Sequence, residues 1–147
     1  MIIRKANVKD VKIITHNNLL LALESENKSI DYSTVYKGVK NIIDDKTKGF
    51  YLVIEKNNGI IGQLMITHEW SDWNNEFIWW IQSVYVDKSN RKNGVFTELI
   101  KELIKLAKEN KIKKLKLYVY RNNLNAKIVY DKIGMSKELF DIYKMNV

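Results

Sequence analysis

The sequence predicts a single-domain α/β (α+β) fold, with a central mixed, twisted β-sheet of about six to seven strands flanked by about four helices. Three observations lead there. Two β-rich runs meet at Asn57-Asn58-Gly59, the pattern of a tight hairpin, so part of the sheet is antiparallel. Between Trp79 and Tyr120 a strand, an amphipathic helix and a second strand follow one another, and strands joined through a helix pair in parallel. The 147 residues include no proline, six scattered glycines and no low-complexity stretch or repeat, which leaves no candidate linker and makes 1–147 one domain. A chain of that size can bury about 68–70% of the surface its unfolded form exposes, enough for one self-sufficient core.

The elements follow in order. Ile2 to Lys5 reads as a short strand. Asp10 then caps a helix in which Val11, Ile14, Leu20, Leu21 and Leu23 recur near helical spacing, ending near Glu24. Val35, Val39, Ile42 and Ile43 describe a second helix, entered through Asp31 to Thr34 and closed before Lys48-Gly49. Phe50 to Glu55 and Ile60 to Thr67 form the hairpin, and Trp79 to Val86 is the next strand. Between them His68 to Asn75, polar and aromatic together, reads as a loop. From Gly94 the positions Val95, Phe96, Leu99, Ile100, Leu103, Ile104 and Ala107 give a helix with one apolar face, followed by a strand over Lys114 to Tyr120. Asn123 to Lys132 is a shorter helix closed by Gly134, which suits a left-handed position after a helix end. Phe140 to Met145 supplies the last strand.

Composition narrows the function classes. With no cysteine there is no disulfide, thiolate metal site or cysteine nucleophile, and two distant histidines do not make a zinc site, so no metal is expected. The apolar runs, such as Leu19 to Leu23, fall short of the roughly 20 residues that span a bilayer. The amino terminus lacks the pattern of a secretory signal, and the reading is cytoplasmic, with no membrane partner. A net charge of +8 and a pI near 9.5 suit a polyanionic partner, a phosphorylated cofactor or nucleic acid, or describe an ordinary solvated basic surface. No DNA- or RNA-binding motif accompanies the charge, although the tryptophans are able to stack bases, so nucleic acid is the minor reading.

The segment Val84-Tyr85-Val86-Asp87-Lys88-Ser89-Asn90-Arg91-Lys92-Asn93-Gly94-Val95-Phe96 runs from a strand through a polar loop into a helix. The free N–H groups and partial positive charge of a helix start favour phosphate, Gly94 lets backbone approach closely, and Arg91 and Lys92 add charge. The same residues also describe a plain strand-to-helix connection with a solvated basic loop. A Gly-Lys-Ser/Thr ending is missing, which disfavours an ATPase.

At this segment the chain resembles the GNAT superfamily of acetyl-CoA-dependent N-acetyltransferases, whose pyrophosphate loop reads Gln/Arg-x-x-Gly-x-Gly/Ala after a strand. Val84 to Asp87, Arg91 and Gly94 match, whereas Phe96 occupies the final small-residue position. Downstream, Asn125-Ala126, Tyr130 and Gly134-Met135 resemble the family's Asn-Ala element, helix tyrosine and Gly-Phe ending, so the likeness covers roughly residues 76 to 147. The resemblance implies a GNAT-like fold with acetyl-CoA as co-substrate. It implies that Val84, Tyr85 and Val86 hold the pantetheine arm where their strand splays from its neighbour. It implies that Arg91, Lys92, Asn93, Gly94, Val95, Phe96 and Thr97 hold the pyrophosphate, with Asn125 contacting the cofactor or capping its helix. A homodimer is compatible with it.

Amide formation from a thioester needs a neutral amine, a polarised carbonyl and a proton for the departing thiolate. Tyr130 matches the family tyrosine near the sulfur and is the candidate general acid, its other reading being a helix tyrosine packed on the sheet. The amine must lose a proton, and His68, Glu69, Asp72 and Glu76 are the candidates for a base or water relay. Trp70, Trp73, Trp79 and Trp80 lie close together, and on an alternating strand the last two face opposite sides, so one of them is core. Trp70, Asp72, Trp73 and Glu69, with Glu24 or Glu26 from the first helix end, form the candidate acceptor site for a cationic amine of a small molecule or peptide. Because Phe96 departs from the motif, a catalytically weak acyl-CoA-binding or sensing domain is the alternative.

Overall fold

The computed structural model describes residues 1–147. One five-stranded sheet runs in the order β1 (Ile2–Lys5), β2 (Gly49–Lys56), β3 (Gly59–Ser71), β4 (Glu76–Val86) and β5 (Leu115–Leu117). The first three pairings are antiparallel and β4–β5 is parallel, so the sheet is mixed. Four helices flank it: α1 (Val11–Glu26), α2 (Tyr32–Asp44), α3 (Val95–Glu109) and α4 (Leu124–Lys132).

Local chemistry fixes the element ends. Asn57 and Asn58 take φ of 51° and 60°, as a two-residue type I′ turn requires, and Lys56 pairs with Gly59 across it. The Asp31 carboxylate accepts from the Thr34 N–H at 2.8 Å and caps α2. After α4, Gly134 takes φ 89°.

Alternation along β2 divides the core. Tyr51 and Val53 face one side, packed with Val11 and Ile14 of α1 and Val39 and Ile42 of α2. Leu52 and Ile54 face the other, packed with Leu64, Ile66, Trp79 and Ile81 and with the α3 stripe Val95, Leu99, Leu103 and Ala107. Gly62 sits beneath that stripe. A Cβ there would stand 2.9 Å from Val95 Cγ1 and 3.0 Å from Ile54 Cγ2, so its absence sets how closely the start of α3 approaches the sheet.

Four expectations are corrected. The sheet has five strands, not six to seven. Phe140 to Met145 is no strand: it makes no ladder, and Phe140, Tyr143 and Met145 are exposed. A strand needs a partner and one apolar face, and the alternate positions Leu139, Asp141, Tyr143, Met145 and Phe140, Ile142, Lys144 leave neither face apolar throughout. The segment comes near the sheet through the Phe140 ring beside the Lys116 ammonium, which also pairs with Glu138 just before the segment at 3.1 Å. The strand over Lys114 to Tyr120 is reduced to Leu115–Leu117, because pairing with β4 ends at Ile81↔Leu117. The fourth correction concerns His68 to Asn75, which is strand as far as Ser71, so the loop shrinks to a turn at the far end of a long β3–β4 hairpin.

Candidate active site

Past Ile81, β4 has no partner on its β5 side, and on its β3 side the ladder slips. Met65 pairs with Gln82 and Gln63 with Tyr85, so Ser83 and Val84 together stand opposite the single residue Leu64. This is a β-bulge, and Ser83 takes φ 49°, uncommon for a residue with a side chain. Beyond Ile81 and Leu117, β4 and β5 part, and a cleft of about 1170 Å³ opens between them. The end of α1, the start of α3 and one side of α4 complete its walls.

The loop from β4 into α3 forms one end. Asp87 accepts from the Ser89 N–H at 3.2 Å, from the Asn90 amide at 3.0 Å and from the Ser89 hydroxyl; these donors hold its carboxyl below the usual range. Arg91 Nε donates to the Val86 carbonyl at 2.8 Å and Nη2 to Glu24 at 2.7 Å, with the guanidinium over the Tyr85 ring at 5.5 Å. Lys88 reaches the same Glu24 carboxylate at 3.4 Å. Lys92 and Gly94 take φ of 64° and 75°. No side chain caps α3, and its first bond runs from Glu98 N–H to the Gly94 carbonyl at 3.0 Å. The N–H groups of Val95, Phe96 and Thr97 therefore precede the helical ladder and remain available to an anion.

Tyr130 lines the opposite wall. Burial raises its pKa, so the phenol stays protonated through neutral pH, as an acid must. Phe96 packs edge-on against it, ring centroids 5.8 Å apart, which directs the large side chain to α4. Asn123, not Asn125, caps α4, accepting from Ala126 N–H at 3.1 Å, and Asn125 lies at the cleft. Of the residues expected to hold cofactor, Val84, Tyr85, Val86, Arg91, Lys92, Gly94, Val95, Phe96, Thr97 and Asn125 all line this one cleft, and Asn93 does not.

The expected acceptor cluster is not brought there. Glu69, Trp70, Asp72 and Trp73 belong to the far end of the β3–β4 hairpin, where Trp73 is 93% exposed and Trp70 stacks edge-on against Phe77. Ser83 lies seven positions along β4 from Glu76, roughly 23 Å of strand. His68 packs against Phe77 and Trp79, and Glu76 pairs with Lys113 at 3.3 Å; neither lines the cleft. The carboxylates that do are Glu24 and Glu26. Sequence reasoning missed Ser83, whose signal was two adjacent polar residues, Gln82-Ser83, interrupting an apolar strand. Tyr118 and Tyr120, on the β5 side, were missed as well.

The GNAT acetyltransferase family model matches residues 18–135. The chain belongs to the GNAT acetyltransferase family. As a GNAT member it is an acyltransferase, and its solved relatives share the architecture. A possible acetyltransferase from Clostridium difficile 630 superposes with a TM-score of 0.93 at 37% identity, over 99% of this chain and 97% of that one. A predicted acetyltransferase with acetyl-CoA from Clostridium acetobutylicum gives 0.82 at 22% identity, covering 99% and 95%. An aminoglycoside 6′-N-acetyltransferase from Acinetobacter haemolyticus gives 0.77 at 17% identity, covering 100% and 99%. The last two likenesses concern the fold alone. No curated protein matches the chain. In this GNAT member no helix is long and apolar enough to cross a membrane.

Proposed function

We propose that this chain transfers an acetyl group from acetyl-CoA to a primary amine of a small molecule or peptide by direct attack. The observation that carries the reading is the cleft itself, where a bulged strand, an uncapped helix start and the half-buried Tyr130 converge. The uncapped N–H groups of α3, with Gly94 and Lys92, suit the pyrophosphate, and the parted β4 edge at Val84 to Val86 suits the pantetheine amides. A C. acetobutylicum relative crystallised with acetyl-CoA supports the choice of cofactor. When bound, acetyl-CoA supplies the activated acyl group.

The chain's own residues do the rest. Tyr130 holds a proton at its phenol oxygen for the departing sulfur. Glu24 and Glu26 put carboxylates on the wall from which an ammonium would enter, with Glu24 tied to Arg91 and Lys88. The acceptor therefore meets the cleft at the α1 end, not at the hairpin tip. A cytoplasmic setting fits this chemistry.

Phe96 favours a second reading, an acyl-CoA-binding domain with weak transfer, because a large ring stands where the family motif has a small residue. One assay separates the two. Thiol release from acetyl-CoA is followed with a panel of amines, amino acids, polyamines and peptides. Amine-dependent release supports transfer, and binding without release supports the second reading.

A further inference from the structure

The end of the chain is a strand-like segment without a sheet. No backbone hydrogen bond joins residues 136–147 to the rest of the chain. Leu139, Phe140, Ile142, Tyr143, Met145 and Val147 are all exposed, Ile142 by 71% and Tyr143 by 93%. Single exposed apolar residues are ordinary, but a run this dense marks an interaction surface. No residue beyond Tyr130 lines the cleft, so a ligand held there leaves the tail uncovered. No residue after Ala107 is buried, and the sheet beyond β5 therefore lacks a covering layer.

β5 supplies the matching half. It ends the sheet and is paired on one side alone. Past Leu117 the run through Tyr118, Val119 and Tyr120 makes a single main-chain bond, from Asn123 N–H to the Tyr120 carbonyl at 2.8 Å. An open edge of this kind is a template for another strand. The tail passes its own edge without using it. Glu138 and Phe140 meet the Lys116 side chain, and beyond Phe140 no hydrogen bond, ion pair or ring contact ties the tail to its own chain.

We propose that residues 139–147 add a strand to the outer edge of β5 in a second copy of this chain, which returns the same exchange about a two-fold axis. Extended at about 3.3 Å per residue the tail spans roughly 30 Å, enough to follow the roughly 23 Å of edge from Lys114 to Tyr120. Charge agrees with the placement. Lys113 pairs with Glu76 and Lys116 with Glu138, which leaves Lys114 on the edge to meet Asp141 of the other copy's tail. The six apolar side chains, at roughly 150 Å² each, supply on the order of 900 Å² per copy, against the about 800 Å² per partner of a stable interface. Each copy carries both strand and edge, so two copies close the assembly and leave neither open. The exchange also reaches the cleft, because Leu117, Tyr118, Val119 and Tyr120 line it and a strand along their outer edge holds that wall. It does not depend on the acetyl-transfer reading.

The test compares the wild type with an Ile142→Pro, Tyr143→Pro double variant by sedimentation over a range of concentrations. Successive residues of a strand turn their N–H groups to opposite sides, so two adjacent prolines remove at least one ladder donor in any register. Neither residue is bonded within its own copy, so circular dichroism should show the variant folded. The expected wild type has twice the 17.4 kDa mass of one chain. The variant should dissociate with a constant raised at least about 10-fold. Hydrogen exchange at Tyr118, Val119 and Tyr120 should be slow in the wild-type dimer and quicken on dilution. A wild type that stays monomeric at every concentration overturns the proposal and leaves the tail to a different partner or to its own edge. A dimer unaffected by the prolines places the interface elsewhere. Mass that grows past the dimer contradicts a closed exchange, and exchange at the three amides that ignores dilution contradicts docking on β5.

Discussion

Replacing Gly62 with Ala tests how closely α3 is seated on the sheet. Gly62 pairs with Ile54 on one side and Val86 on the other, directly beneath Val95, the first residue of α3. The added Cβ would lie 2.9 Å from Val95 Cγ1 and 3.0 Å from Ile54 Cγ2, against an ordinary contact of 3.4 Å or more, so Val95 must retreat by about half an ångström. Overpacking of this kind costs about 1–3 kcal/mol. Loss of the glycine's freedom in the unfolded chain returns about 0.4–1 kcal/mol. The overpacking term wins, and the variant should be less stable by about 1–2 kcal/mol in urea unfolding at unchanged m. Because the displaced residue follows Gly94, acetyl-CoA affinity should fall as well. A Gly62→Ala protein as stable as the wild type would refute the claim that this contact sets the helix position.

Tyr130→Phe keeps the ring against Phe96 and removes the proton donor, so kcat in the thiol-release assay should drop by about 10²-fold at unchanged acetyl-CoA affinity. Trp73→Ala with Asp72→Asn should leave both the acceptor KM and the acetyl-CoA Kd unchanged, since neither residue lines the cleft; a raised acceptor KM would bring the hairpin tip back into the site. Acid unfolding should report on Asp10. Burial opposes its ionisation, but Arg4, bonded at 2.7 and 3.0 Å, and the Asn7 N–H outweigh it and lower the pKa. A lowered folded pKa means the unfolded state holds its proton to higher pH. The contribution is thus full above about pH 4 and lost as pH falls through the folded value. Stability against pH should show that acid limb in the wild type, and Arg4→Met should flatten it.

Much of the fold was legible because local chemistry and tertiary packing agree there. Asn57-Asn58-Gly59 demanded a tight hairpin, the Asp31 to Thr34 stretch opened α2, and the α3 stripe at Val95, Leu99, Leu103 and Ala107 could bury only one face. That the residues from Val84 to Thr97 would gather at one place was legible for the same reason, as one contiguous segment carries both the glycine and the helix start, and all but Asn93 of those expected there line the cleft. What sequence periodicity could not supply was pairing. The Phe140 to Met145 segment has strand-like composition, yet whether it joins a sheet depends on a partner edge that composition does not encode. The tryptophans drew the acceptor site to residues 69–73, although β3 and β4 carry that turn away from the cleft. The polar line from Asn17 through Gln63 and Asn18 to Tyr51 joins residues 33 to 46 positions apart, and inside a leucine-rich helix two asparagines carry no periodic signal.

The most direct test of the central claim, that acetyl-CoA occupies the cleft between β4 and β5 with its pyrophosphate at the start of α3, is calorimetric titration of acetyl-CoA into the wild type and Gly94→Val. Gly94 holds φ 75° with open space where a Cβ would project, so valine adds backbone strain of about 1–2 kcal/mol and a branched side chain at the anion-binding N–H groups. The account predicts one-to-one binding by the wild type and, in a Gly94→Val protein that circular dichroism shows to be folded, an affinity lowered by more than that strain alone explains. Equal affinity in the two proteins would contradict it.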